Sequence, residues 1–236
     1  MSDSKIKDID SLAFDKMSFG YDDGQPMFND ITLELPKASA VWVNTRSGER
    51  GRSTIMRILA GLSAPTQGRY LINGEDVSQM SFEQFLPYRV RIGYGFDMGG
   101  LLNNRTMFEN LSLSLRYHGH YSQDEIISKV GRTMDFFQIA RIRNQRPFGV
   151  SGSQRKLACV VRAFIHDPQV VFLDDPVNGL KDGDVARLIQ HIQDGFVNRG
   201  LKQVYFTAEK NHLAEQLNAE ELLLGSHFFK IRPVAA

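Results

Sequence analysis

The amino-acid sequence predicts an α/β fold built on a mainly parallel sheet, and three observations carry that prediction. Short apolar runs at 40–43, 170–173 and 204–206 have the length and uniform hydrophobicity of strands buried on both faces. Between them apolar residues recur at helical spacing, as at Ile55, Ile58, Leu59 and Leu62, and again at Val185, Leu188, Ile189 and Ile192. Buried strands alternating with helices pack as a parallel sheet covered by helices.

The first third reads differently. Residues 11–19 and 31–35 look like antiparallel strands joined by the turn-rich segment 21–26, giving an N-terminal antiparallel β subdomain. The stretch from about 100 to 167 has few strand signals and reads as a helical insertion. Within it, Ser122 followed by Glu125 has capping-box spacing ahead of Ile126, Val130, Met134 and Phe137, which predicts a helix start. A chain of 236 residues fits one large domain carrying such an insertion, against about 100–200 residues per domain. The last core strand is expected shortly before Ala236, which leaves no room for an added regulatory domain.

Hydrophobic residues at 42% and charged residues at 23% are ordinary for a globular chain and exclude disordered, collagenous and coiled-coil classes. The formal net charge of +1 predicts no bulk attraction to nucleic acid or to an anionic membrane. Cys159 is the only cysteine, which excludes an intrachain disulfide and suits a reducing compartment; it is expected to be buried and inert. No stretch approaches the roughly 20 apolar residues of a membrane span, and the polar start lacks a signal-peptide core. A soluble, cytoplasmic chain is expected.

The chemistry is expected where the strand at 40–43 runs into a loop and then a helix, because successive backbone N–H groups and a helix N-terminus favour anions. That loop is RSGERGRST at 46–54. The phosphate-loop pattern G-x-x-x-x-G-K-[ST], laid from Arg46 to Ser53, is met only at Gly51 and Ser53, with Gly48 inside the loop and Thr54 following. Further along, Asp174 and Asp175 end a second apolar strand, the place where a carboxylate holds Mg²⁺ beside such a loop. Residues 150–154, VSGSQ, open a helix about 20 residues before that strand.

This order of motifs, from about Phe14 to Leu224, resembles the ATP-binding cassette (ABC) ATPases, which are P-loop NTPase-like. The resemblance implies ATP and Mg²⁺ as cofactors. It places Tyr21 where the family stacks an aromatic on adenine, Ser53 where a hydroxyl meets Mg²⁺, and Asp174 at the Mg²⁺ carboxylate. Ser151, Gly152 and Gln154 match the family signature, whose helix N-terminus faces the γ-phosphate bound by the other subunit of a head-to-tail dimer; Ser153 stands for its second glycine. Implied partners are a second cassette subunit, identical or different, and transmembrane permease subunits that hold the chain at the inner face of the membrane.

Several positions depart from the pattern. Arg46 and Glu49 replace loop glycines, removing left-handed backbone freedom. Glu49 adds a carboxylate where a triphosphate belongs, and unit charges about 5 Å apart repel by roughly 3 kcal/mol at an effective dielectric of 20 unless Arg50 or Arg52 neutralises it. Arg52 replaces the lysine that threads between phosphates, keeping charge but changing geometry. Asp175 stands where the family has a glutamate that polarises the attacking water, and its shorter side chain withdraws the carboxylate by about 1 Å. Asp97 replaces the sensor glutamine, Lys181 an aspartate that communicates across the dimer, and Ala208 the switch histidine; His212 reads as a surface residue.

Plainer readings stand beside these. Ser151 with Gln154 is also a capping box, Tyr21 a turn aromatic, and the Asp174–Asp175 pair a strand end. His118 and His120 lack further metal ligands, and Arg141, Arg143 and Arg146 read first as a solvated face. Three functions follow: a degenerate cassette subunit that completes a competent partner's site, a non-catalytic homodimeric scaffold, or an active ATPase with Asp175 and Arg52 as adapted residues. The stretch 96–102 with Phe108–Leu111 and Leu115–His118 is similar to the corresponding region of ATPases serving Mce-type lipid transporters.

Overall fold

The computed structural model describes residues 6–21, 26–45, 50–97, 99–118 and 121–234. The elements run β1 (Leu12–Phe19), β2 (Phe28–Glu34), β3 (Ala40–Thr45), α1 (Arg52–Leu59), β4 (Gln67–Ile72), β5 (Glu75–Asp76), α2 (Phe82–Arg89) and β6 (Ile92–Gly95). There follow α3 (Met107–His118), α4 (Gln123–Phe136), α5 (Gly152–Phe164), β7 (Val170–Leu173), α6 (Asp182–Asn198), β8 (Gln203–Phe206), α7 (His212–Gln216), β9 (Glu220–Leu224) and β10 (Phe229–Pro233).

Two sheets form. A four-stranded antiparallel sheet has the order β2-β1-β4-β5, and a six-stranded sheet the order β10-β9-β3-β8-β7-β6, in which only β10 runs antiparallel to its neighbour. β7 is uniformly buried inside the parallel sheet, whereas β6, at the end of the strand order, is buried because α5 packs closely on it. Phe14, Tyr70, Phe28 and Phe229 close the space between the sheets with tilted and edge-on ring contacts.

The region 100–167 is helical. Ser122 and Glu125 form the expected capping box on α4, and Ile126, Val130, Met134 and Phe137 are buried behind it. α5 serves two cores. Leu157, Ala158 and Val161 pack with α3 and α4, whereas Val160, Ala163 and Phe164 pack on the parallel sheet. The second contact is close because β6 is glycine-rich: a Cβ on Gly93 lies 2.0 Å from the Ala163 carbonyl oxygen.

One predicted periodicity is shorter than expected. α1 stops at Leu59 with Ala60 as its C-cap, so Leu62 falls in the following turn and is 41% exposed instead of continuing the buried face. The second N-terminal strand begins three residues earlier than its apolar run, at Phe28, because Phe28 packs against Phe229.

Candidate functional site

Parallel pairing of β3 with β8 and of β8 with β7 brings the C-terminal ends of three strands together. The chain leaves β7 at Asp174 and β8 at Thr207, and α1 begins nearby, at Arg52. Asp174 is buried and its Oδ1 accepts hydrogen bonds from Ser53 Oγ and Thr207 Oγ1, both at 3.0 Å. Two residues widely separated in sequence, Ser53 and Asp174, are therefore in direct contact. Their hard oxygen atoms suit a Mg²⁺ ion, which prefers carboxylate and hydroxyl donors and retains several waters.

Asp175 lies beside this contact with φ of 46°, in the left-handed region that aspartate tolerates better than most residues. Its backbone N–H donates to Thr207 Oγ1 at 2.7 Å, so one threonine hydroxyl bridges both aspartates. Burial pushes the Asp175 carboxyl above the usual carboxylate range; Lys156 and the Asn178 side chain oppose that shift, while Asp97 and Glu209 add to it.

The start of α1 is set by Gly51. It occupies the N-cap with φ of 118°, and a Cβ there lies 2.5 Å from Phe28 Cζ, so both conformation and space require glycine. No side chain caps this helix. Arg46, Gly48 and Glu49 lie outside the described residues. Tyr21 Oη is 3.0 Å from Thr54 Oγ1, and the residue, its ring edge-on to Phe19 at 5.1 Å, remains 53% exposed. Thr54 itself is buried. Arg52 turns the other way and donates from Nη1 to the Ala208 carbonyl at 3.1 Å.

The signature residues stand at the start of α5. Ser151 Oγ accepts from Gln154 N at 3.2 Å and Gln154 Oε1 accepts from Ser151 N at 3.0 Å, a closed capping box. Ser151 and Gly152 are exposed, and a Cβ on Gly152 meets nothing closer than 3.9 Å. Ser153 joins Asp97, Lys156 and Asn178 in lining a cavity of about 560 Å³.

Sequence reasoning missed Lys156 and Thr207. Lys156 Nζ is nearly buried and donates to Asp97 Oδ1 at 2.8 Å, to the Asp97 carbonyl at 2.7 Å and to the Asp174 carbonyl at 3.4 Å. The available signal was the cation pair Arg155–Lys156 leading the apolar run Leu157–Val161. Lys181 is an exposed N-cap of α6 without a side-chain cap bond, and His212 is exposed as expected. Arg143 stacks on Phe108 with its guanidinium carbon 4.3 Å from the ring centre, which anchors one of the three clustered arginines within the fold. Cys159 is buried, and its Sγ donates to the Gly99 carbonyl. Among the described residues no group of His, Cys, Asp and Glu has the arrangement of a metal cluster.

The ABC transporter family matches residues 28–178 of the chain. Over 193 residues, 82% of the chain, it is 29% identical to a methionine import ATP-binding protein MetN of Vibrio cholerae. It is 31% identical over 173 residues to MetN 1 of Rhodopseudomonas palustris, and 30% identical over 168 residues to a probable ribonucleotide transport ATP-binding protein, mkl, of Mycobacterium leprae. Those alignments cover 73% and 71% of the chain, and the chain spans about half the length of these relatives, between 45% and 55%. In fold it is similar to the ATP-binding cassette MJ0796, solved as a dimer bound to ADP and Pi, with a TM-score of 0.83 at 19% identity over 95% of this chain and 99% of that one. Matching topology and a family match over more than half the residues agree: the chain belongs to the ABC transporter family and has its ATP-binding cassette fold.

Proposed function

We propose that the chain is the cassette subunit of a membrane transport complex, that its own site binds ATP weakly or without turnover, and that it lends the start of α5 to a competent partner cassette. One observation carries this reading. The side chains expected to drive hydrolysis are altered at Asp175, Ala208 and Asp97, whereas Ser151, Gly152 and Gln154 retain the signature and form an ordered, outward-facing helix start. The Ser53–Asp174 contact and the exposed Tyr21 support retention of a Mg²⁺-nucleotide site, and Mg²⁺ would supply positive charge beside the phosphates there. Asp97 is held by Lys156 instead of presenting a neutral amide.

Among the described residues no helix is long and apolar enough to cross a membrane, so attachment to one falls to permease partners. A lipid cargo is the finer reading, supported by the resemblance of residues 96–102, 108–111 and 115–118 to the corresponding region of ATPases serving Mce-type lipid transporters. Cys159 and Arg162 donate to the Gly99 and Gly100 carbonyls and so seat the first of these segments on α5.

The test is ATP turnover by the chain alone and after addition of the cassette that co-purifies with its permease. Negligible activity alone, and activity of the mixture that falls when Ser151→Ala or Gly152→Asp is placed in this chain, is the expected outcome. Family-typical turnover by the chain alone sinks the reading. It would favour a second one, in which Asp175, whose burial raises its proton affinity, acts as the base.

A further inference from the structure

Two of the residues that depart from the family pattern touch each other. Arg52 stands where the family has lysine and Ala208 where it has histidine, and Arg52 Nη1 donates to the Ala208 carbonyl at 3.1 Å. The same oxygen accepts the indole N–H of Trp42, on β3, at 3.2 Å. Both Trp42 and Ala208 are buried, so the two lone pairs of this carbonyl are met by one fixed donor and one cationic donor. An alanine side chain cannot reach a phosphate. Its carbonyl is nonetheless tied, through a single guanidinium, to the first residue of α1.

We propose that Arg52 is a positioning residue that couples phosphate occupancy at the start of α1 to segment 207–212, acting through the Ala208 carbonyl where a side chain at 208 cannot. A guanidinium carries five N–H donors, and the carbonyl uses one of them. A guanidinium–phosphate pair adds charge–charge attraction, and can add a second parallel N–H···O bond, to what a neutral carbonyl offers, so an arriving triphosphate draws the fork toward itself and weakens its hold on Ala208. The carbonyl then rests on Trp42 alone, and α7, which begins four residues later at His212, is relieved of one tether. A lysine ammonium has the charge but not the planar, pre-organised fork that meets carbonyl and phosphate oxygens in fixed geometry.

The inference rests on the nucleotide-binding half of the proposed function and is tested with a readout independent of turnover. Trp42 is the only tryptophan, so its fluorescence reports the environment of this carbonyl. The full chain is titrated with MgATP and with inorganic tripolyphosphate, and binding is measured in parallel by calorimetry. Wild type is expected to show a saturable Trp42 emission change that follows the calorimetric isotherm. Arg52→Gln is expected to bind about tenfold or more weakly, the loss of a charged hydrogen bond, and to lose the emission change at saturation. Arg52→Lys, which keeps the charge and leaves the fold least disturbed, is expected to recover affinity more than emission response. Binding with no Trp42 change, or the wild-type change in both variants at saturation, overturns the coupling alone. Absence of binding by either ligand overturns the coupling and the nucleotide-site reading together.

Discussion

The helices α5 and α1 each carry a serine near their first turn, and they use it in opposite ways. At α5, Ser151 closes a capping box with Gln154, so the N–H groups of Ser151 and Gln154 are satisfied within the helix start itself. At α1 the N-cap is Gly51, no side chain caps the helix, and Ser53 spends its hydroxyl on Asp174 while Arg52 spends its guanidinium on Ala208. The first start is self-contained and exposed, suited to being presented to another surface. The second is tied into the ends of β7 and β8, and its N-cap glycine offers no side chain to the leading amides. The same element boundary is thus built either as a finished surface or as an incomplete one.

Substitutions at the two starts sharpen the contrast. Gly51→Ala carries the largest expected effect, a loss of about 3 kcal/mol, because it combines a disfavoured backbone angle with overlap on Phe28; denaturant midpoints measure it. Ser53→Ala removes a donor from a buried carboxylate and is expected to cost about 2 kcal/mol and to weaken Mg²⁺-dependent nucleotide binding. Ser151→Ala is expected to cost about 1 kcal/mol, the value of a cap, and to leave nucleotide binding by this chain unchanged. Should the two serine variants prove equal in both measurements, the distinction between the starts disappears.

Asp175, beside the incomplete start, gives the smallest effect and a signed dependence on pH. Burial raises its proton affinity in the folded chain above that in the unfolded chain, so the folded state holds more protons through that window. Stability is therefore fuller below the usual carboxylate range and falls as pH rises through the raised value. Asp175→Asn is expected to flatten that slope in thermal melts recorded from pH 3 to 7, and an unchanged slope contradicts the assignment.

The parallel core was legible because strands buried on both faces are short and uniformly apolar, as at Val170–Leu173. α2 was not, because Pro87 lies inside it and Phe82 is 59% exposed, which blurs its periodicity. β6 was hidden for a related reason, since two of its four residues are glycines. At the site, Ser53 and Asp174 were paired through a known motif order, and the structure brings them into contact. Thr207 and Lys156 were out of reach, because their partners lie 33 and 59 residues away in sequence and no local pattern encodes such meetings. The contact between Arg52 and Ala208 spans 156 residues and joins two positions that each read as a defect when taken singly.

The ion pair of Lys156 with Asp97 has an evolutionary consequence. A descendant that regained glutamine at position 97 would leave a nearly buried ammonium without its carboxylate partner, and one that lost Lys156 first would leave Asp97 and Asp175 as neighbouring carboxylates without that cation. Either single step is penalised, so the two positions are expected to change together among close descendants of this sequence. A lineage in which aspartate at 97 is found routinely without a cation at 156 would show that the pair is incidental.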